Sequence, residues 1–173
     1  SHFDSVLNYV VKGNAIQRQD KALKDELKSW MRMNKKKQNR TNNGLSDAVF
    51  NEPNIPALIA KPIMVSYLNA KTQNKGDIKK IQSASHLVLF TINQDNIKEW
   101  INLGRVLQRL LLKATELGIS NSYFNQPNEI RSLSVEMANS LNICEIPAIL
   151  LRIGYGKKMP YSKSIDVSKL IME

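Results

Sequence analysis

One long amphipathic stretch, residues 95–118, constrains this chain more than any other part of its sequence. Its apolar residues recur every three or four positions, at Trp100, Leu103, Leu107, Leu110, Leu111, Ala114 and Leu117. This spacing places them on one face of an α-helix. We predict that Asp95 caps the start of this helix and that Gly118 closes it in a left-handed conformation. The rest of the chain is expected to pack around it.

Gly104 lies in the middle of this predicted helix, where a glycine costs about 1 kcal/mol relative to alanine. A glycine at such a position indicates that another element crosses the backbone closely. The sequence leaves two alternatives open, namely contact with a second helix and contact with a ligand.

Two segments have the composition of buried strands. Residues 86–92 are nearly continuous in apolar and β-branched side chains, which is typical of a strand covered on both faces. Residues 145–155 show the same pattern and are apolar on both faces except at Arg152. A charged side chain in such a strand needs a partner, so Arg152 is interpreted either as a ligand contact or as half of an ion pair with Glu145 or Glu136.

Four further helices follow from the apolar spacing. The first covers residues 3–16 and is expected to break near Gly13 and Asn14. Asp20 opens the second, whose inward stripe is Leu23, Leu27, Trp30 and Met31. A short helix at 77–83 and one running from Pro127 to about residue 141 complete the set. Helices around two buried strands predict a layered α+β fold in a single domain covering residues 1–173.

Residues 34–62 are rich in Asn, Lys, Gly and Pro and lack a regular apolar period. Segments of this length within a compact domain are usually lids or arms that contact a partner subunit, with disorder as the alternative. A basic tail at residues 156–173 is expected to be irregular. We interpret the cationic cluster at residues 32–40 as a solvated loop, because no aromatic side chains alternate with its charges.

The net charge is +10, from 25 Lys and Arg against 15 Asp and Glu. This charge admits nucleic acid or a phosphate-bearing ligand as a partner. No nucleic-acid motif accompanies the basic residues, so a basic nucleic-acid-binding scaffold is only a third alternative. No apolar run approaches the length of about 18 residues that a membrane span needs, and we expect a cytoplasmic protein without a membrane partner.

Cysteine and histidine are scarce. With Cys144, His2 and His86 alone, the chain has neither a disulfide framework nor the ligands of a usual zinc site, so no metal is predicted. We expect Cys144 to be a buried thiol, His86 to be structural and Tyr155 to pack against the fold. The sequence begins at Ser1 rather than at methionine, which suggests a piece of a longer protein.

An ordered series of motifs resembles the nitroreductase-like flavoproteins, and within them the C-terminal half of the Acg-type FMN-binding branch. The central part reads Trp100-x3-Gly104-x2-Leu107-x2-Leu110-Leu111-Leu112-x-Ala114-Thr115-x2-Gly118. It is followed by Asn125-Gln126-Pro127-x-Glu129 and by Pro147-x3-Leu151-Arg152-x-Gly154-Tyr155-Gly156. Upstream, Glu26-Leu27-x2-Trp30-x-Arg32 precedes Asn43-Gly44-Leu45, where that branch tends to have Asp-Gly-Leu.

The resemblance implies a three-layer α+β fold with FMN between two halves, supplied by a homodimer or by a missing N-terminal half. In such proteins FMN passes a hydride from NAD(P)H to a small nitroaromatic or quinone acceptor. Some relatives of the Acg type look more like flavin-storing proteins than enzymes. A non-catalytic half that supplies dimer surface, a lid or flavin storage is therefore the alternative function.

Residues 119–126 are predicted to form a loop, and by the same resemblance its backbone amides near Phe124, Asn125 and Gln126 face the reactive N5 of the flavin, with Arg152 as a further contact. A turn that only caps a helix is the alternative for this loop. The family's Arg-Arg-Ser-x-Arg and Pro-Ser-x-x-Asn-x-Gln-Pro-Trp motifs are not found in this sequence. In the tail only Lys163 keeps a charge where the family has a cationic pair, which assigns the flavin phosphate to Lys163. No catalytic residue is assigned.

Overall fold

A computed structural model describes residues 2–32, 43–46, 69–159, 165 and 167–169 of the chain. The chain divides into two compact units. The first consists of Ser1–Gln17 and Gln73–Lys157, and the second of Arg18–Thr72 and Lys158–Glu173. Of the predicted lid or arm at 34–62, all except residues 43–46 lies outside the described residues, as does most of the basic tail.

In chain order the elements are α1 (His2–Gln17), α2 (Lys21–Trp30), β1 (Met31–Arg32), β2 (Leu45–Ser46), α3 (Ala70–Gln82), β3 (His86–Ile92), α4 (Ile97–Glu116), β4 (Ser120–Tyr123), α5 (Arg131–Ser140), β5 (Ile146–Gly154) and a 3-10 helix (Val167–Lys169). Five α-helices accompany a three-stranded antiparallel sheet in the described part of the chain. The predicted α+β class is confirmed.

The sheet has the order β3-β5-β4, so β5 is its central strand. Leu87 of β3 and Ser122 of β4 both lie opposite Arg152. The register between β3 and β5 shifts once, where Phe90 pairs with Ile149 and the next residue of β3 pairs with Pro147. A proline has no N–H to donate to a neighbouring strand, and within a central strand it is tolerated at such a bulge.

Helices cover both faces of the sheet in the first unit. On one face, Val6 and Val10 of α1 and Ile81 of α3 form a buried cluster with Phe124 and Leu150. On the other face, Leu103 of α4 packs with Ile92 and Ala148. Adjacent residues of the central strand face opposite sides, so Leu150 belongs to the first cluster while Ile149 packs against the second.

The predicted core helix is confirmed as α4, but its N-cap residue and the extent of its buried face differ from the prediction. The capping side chain is Asn96, whose Oδ1 accepts a hydrogen bond from the Glu99 amide at 3.0 Å, and not Asp95. Asp95 instead accepts one from the Trp100 indole at 2.8 Å. Gly118 has φ +68 and closes the helix as predicted.

The apolar face of α4 is wider than the sheet surface that it covers. Leu103 and Ala114 are buried, whereas Trp100 is 44% exposed and Leu117 is 55% exposed. These two were predicted to face inward, and that prediction is wrong. No described atom lies within 4 Å of a Cβ placed at Gly104, so no described helix of this chain crosses there, and the alternative of a ligand contact stays a prediction.

α1 runs without a break through Gly13 and Asn14, contrary to the prediction. Both residues are buried by tertiary contacts that local propensity does not reveal. Asn14 Nδ2 donates to Asn74 Oδ1 at 2.8 Å and to Asp77 Oδ2 at 3.0 Å, and Asn14 Oδ1 accepts from Gln73 Nε2 at 2.6 Å. These bonds hold the end of α1 against α3.

Three other boundaries differ from the sequence-based expectation. Residues 120–123 form the edge strand β4 instead of a loop, although their polar, largely exposed side chains give no apolar pattern. α3 begins at Ala70 rather than at residue 77, and α5 begins at Arg131 rather than at Pro127. The strands predicted at 86–92 and 145–155 are confirmed as β3 and β5.

In the second unit, Asp20 caps α2 as predicted, accepting hydrogen bonds from the amides of Ala22 and Leu23. The predicted inward stripe is found only in part: Leu23 and Leu27 are half-buried and Trp30 is 46% exposed, and none of the ten residues of α2, all of them described, is fully buried. Met31 is buried in β1 instead, where it pairs with Leu45. This pairing brings together the two upstream motifs, since the Asn43 side chain accepts hydrogen bonds from Arg32 Nε and Nη2 at 3.2 and 3.0 Å.

Candidate functional site

The predicted flavin-facing loop is a tight segment, residues 124–128, that follows β4; we call it the 124–128 turn. Phe124 continues the sheet hydrogen bonding by one residue, since its amide donates to the Leu150 carbonyl oxygen at 2.9 Å. Its ring is 2% exposed and belongs to the core between α1 and β5. The Phe124 amide is therefore already paired with the protein itself.

Asn125 joins the 124–128 turn to the central strand. Its side-chain Oδ1 accepts a hydrogen bond from the Leu150 amide at 2.8 Å. Its own carbonyl oxygen accepts from the amides of Asn128 and Glu129, at 2.8 and 3.0 Å. The side chain of Asn125 thus accepts the hydrogen bond that the backbone of a further β4 residue would accept from β5. The backbone of Asn125 begins the turn toward α5.

Gln126 lies directly beneath α1. Its Cβ and carbonyl carbon occupy the space next to Gly13, which explains why the helix has a glycine at that position. One turn further along α1, Gln17 Nε2 donates to Glu129 Oε2 at 2.5 Å. The 124–128 turn is therefore held by α1 on one side and by β5 on the other.

Arg152 approaches the same turn from the central strand. Its Cζ lies 5.9 Å from the centroid of the Phe124 ring, and its Nη1 donates to the Lys80 carbonyl oxygen at 3.2 Å. Neither predicted ion pair is found in the described part of the chain, where Glu136 pairs with Lys12 at 3.4 Å. The guanidinium group is accommodated by a carbonyl oxygen and an aromatic face rather than by a carboxylate.

Four buried side-chain atoms around this turn have no hydrogen-bond partner among the described residues. They are Gln126 Oε1, Nδ2 and Oδ1 of Asn128, and Arg152 Nε. Each such atom costs about 1–3 kcal/mol when nothing satisfies it. Asn128 was not predicted as a site residue, because it occupies the variable position of the Asn-Gln-Pro-x-Glu motif and no local pattern indicates its burial.

With two amide side chains and one guanidinium group, this set could match the ring edge of FMN, and Arg152 is the one cationic residue of the three. An isoalloxazine ring presents hydrogen-bond donors and acceptors along one edge, which amide and guanidinium groups can match. A phosphate calls for cationic side chains. The candidate for that role, Lys163, lies outside the described residues.

The remaining candidate residues stand apart from the turn. Cys144 is exposed, so the predicted buried thiol is wrong. Tyr155 is 83% exposed and does not pack as expected. His86 is exposed at the start of β3. Among the described residues, no group of three or more His, Cys, Asp or Glu side chains could hold a metal ion, and no helix is long and apolar enough to cross a bilayer.

Comparison with known proteins adds no family assignment. No protein-family model matches the chain, and no curated protein is significantly similar to it.

Proposed function

We propose that this chain is a nitroreductase-like domain that binds FMN and reduces nitroaromatic or quinone acceptors with NAD(P)H as donor. The observation that carries the proposal is the set of unsatisfied buried polar atoms on Gln126, Asn128 and Arg152. Native proteins leave few buried polar groups unpaired, and those that remain call for a specific explanation such as a functional role or a bound water or ion. The motif resemblance supports the same conclusion.

In this proposal the side chains of Gln126, Asn128 and Arg152 bind and orient the polar edge of the flavin ring. Bound FMN supplies the hydride chemistry, and the protein supplies placement and electrostatics. Phe124 and Asn125 position the turn, because their polar groups are engaged with Leu150. Lys163 is assigned to the phosphate.

A homodimer is the proposed assembly, and the exposed side of α4 is its proposed interface. Ile97, Trp100, Ile101 and Leu112 are all large, apolar and at least 44% exposed, and helical spacing places them along one strip. Gly104 lies within that strip with open space above it as far as the described residues extend. An apolar strip with a glycine at its centre suits close packing against the same strip of a second copy.

A second candidate function is a non-catalytic half that stores flavin or supplies dimer surface. One observation favours it: the Phe124 amide, expected to face the reactive part of the flavin, donates instead to the Leu150 carbonyl oxygen. A turn whose backbone amide is hydrogen-bonded within the sheet can bind the flavin ring, but it lacks the free amide that would tune the reactivity of that ring.

The test is to titrate the purified full chain with FMN, following flavin fluorescence and visible absorbance, and then to assay NAD(P)H oxidation with a nitroaromatic or a quinone. Asn128→Leu is the informative variant. If the Asn128 amide contacts flavin, this change abolishes binding. It leaves stability unchanged or raised, because an apolar group of similar shape replaces an unsatisfied amide.

Asn139→Leu is the matched control, since Asn139 is exposed on α5. Absence of flavin binding by the wild type would refute the proposal. Binding without turnover would favour the second candidate, and unchanged binding in Asn128→Leu would exclude Asn128 as a contact.

A further inference from the structure

A separate hollow of about 290 Å³ lies on the α1 side of the sheet. Phe3 and Val6 of α1 and Leu87 and Leu89 of β3 form its walls. Leu87 and Leu89 are two residues apart on one strand, so both point to this face. Its size places it at the lower end of the range for small-molecule sites.

The deep end of the hollow is apolar as well. Fully buried Leu150 lies there, directly opposite Leu89 in the sheet. Leu141 and Ile143, which follow α5, complete the lining. All the described side chains that line the hollow are hydrocarbon, so this part of the chain offers no side-chain partner for a charge there and disfavours ordered water.

The surrounding elements are fixed in a way that keeps the hollow open. The second half of α1 is held by the Asn14 bonds to α3, by the Gly13 contact with Gln126 and by the Tyr9 hydroxyl, which donates to the Glu136 carbonyl oxygen of α5 at 3.2 Å. Phe3 and Val6 lie on the first half of the same helix. The helix therefore cannot tilt onto β3 to close the hollow without breaking these contacts.

The hollow opens to solvent, so an apolar molecule that covers its lining removes hydrocarbon surface from water, which is favourable. A cavity of about 150 Å³ lined by aliphatic and aromatic side chains takes up benzene in another protein. A hollow of about 290 Å³ is nearly twice as large. From its size and lining, we infer that it is a binding site for an uncharged, two-ring aromatic molecule, independent of the proposed flavin site.

The experiment is an isothermal titration of the full chain, without FMN, using 1-naphthol and 1-naphthoate as a matched neutral and anionic pair. We expect saturable one-to-one binding of 1-naphthol in the micromolar to millimolar range and at least tenfold weaker binding of 1-naphthoate, because none of the described side chains that line the site is cationic. Adding FMN is expected to leave the 1-naphthol titration unchanged.

Val6→Phe fills the hollow and is expected to weaken 1-naphthol binding at least about tenfold. Val135→Phe is the matched control, since it adds the same atoms to an exposed position of α5 outside the lining. Leu87→Phe is a second filling variant in case Val6→Phe does not fold.

Two results would overturn the inference. One is the absence of saturable 1-naphthol binding by the wild type, which is also expected if a side chain from elsewhere in the protein or from a second copy fills the hollow. The other is wild-type affinity in the folded filling variants, which would place any bound 1-naphthol elsewhere.

Discussion

The Cβ of Gln126 lies where a side chain on Gly13 would begin. A Cβ on Gly13 would stand 2.8 Å from the Gln126 Cβ and 2.9 Å from its carbonyl carbon, closer than real side chains approach. The glycine in the interior of α1 is therefore explained by a contact more than a hundred residues along the chain. This contact sets the position of α1 on the 124–128 turn.

Gly13→Ala is expected to destabilise the protein by about 1–3 kcal/mol, because the clash outweighs the gain of about 1 kcal/mol in helix propensity. Gly76→Ala is the matched control: Gly76 lies in α3, and no described atom is within 4 Å of its Cβ position. That change is expected to stabilise by about 0.5–1 kcal/mol. Urea denaturation measures both, and equal effects of the same sign would contradict the contact.

Asn125→Ala is expected to cost about 1–3 kcal/mol, because it leaves the amide of fully buried Leu150 without its 2.8 Å acceptor. Asn121→Ala is the control, since Asn121 is exposed on β4. Hydrogen exchange of the Leu150 amide offers a local readout. Protection that survives Asn125→Ala would show that another group satisfies this amide.

Ile101→Glu is expected to abolish self-association while changing monomer stability by less than about 0.5 kcal/mol, because Ile101 is 58% exposed. Gly104→Ala is expected to weaken the dimer as well, if two α4 helices cross there. Val135→Glu on α5 is the control for an exposed apolar position. Sedimentation equilibrium decides, and a monomeric wild type at micromolar concentration would refute the dimer.

Asp25 provides a pH-dependent test of α2. Hydrogen bonds from Lys28 and Lys21, each at 2.9 Å, lower the pKa of this carboxyl from 3.8 to about 2. Because the folded pKa lies below the unfolded one, the contribution to stability is complete above the unfolded pKa and is lost as the pH falls through the folded pKa.

Carbon-detected NMR titration of Asp25 is the measurement. Lys28→Gln is expected to return the pKa toward its ordinary value, and added salt to do so in part, because the group is exposed. An unchanged pKa in Lys28→Gln would mean that Lys28 does not form this contact in solution.

Lys163→Ala is expected to weaken FMN binding more than riboflavin binding, because riboflavin has no phosphate. Loss of one contact between a charged group and a phosphate costs about 1–3 kcal/mol, or roughly fivefold to a hundredfold in affinity. The difference is expected to shrink as salt is added. Fluorescence titrations with both ligands test it, and equal losses would place Lys163 away from the phosphate.

Where the sequence predicted well, the local pattern was strong. The spacing in α4 and the apolar runs of β3 and β5 reflect the two faces of a buried sheet, and each was found close to its predicted position. β4 was missed because an edge strand with exposed polar side chains has no apolar alternation. The predicted break in α1 was wrong because burial of Gly13 and Asn14 depends on partners distant in sequence.

In the candidate site, too, residues with a local sequence pattern were predicted and those that depend on the assembled fold were not. The resemblance pointed to Phe124, Asn125, Gln126 and Arg152, and the structure places the Arg152 guanidinium over the Phe124 ring and bonds the Asn125 side chain to Leu150. The unsatisfied amide of Asn128 was not predictable, because burial of a polar atom is a property of the assembled fold. The wide apolar face of α4 was visible in the sequence, but which part of it the sheet would cover was not.

Pro147 has a consequence for how the sheet finds its alignment. β5 carries hydrocarbon on both faces, so alternation of polar and apolar residues cannot by itself distinguish the native pairing from one displaced by a residue. A displaced β5 would move the missing N–H of Pro147 away from the bulge that tolerates it, and would remove the Leu150 amide from Asn125. The missing N–H of Pro147 and the side-chain acceptor of Asn125 thus fix the register of β5, which its apolar pattern alone would not.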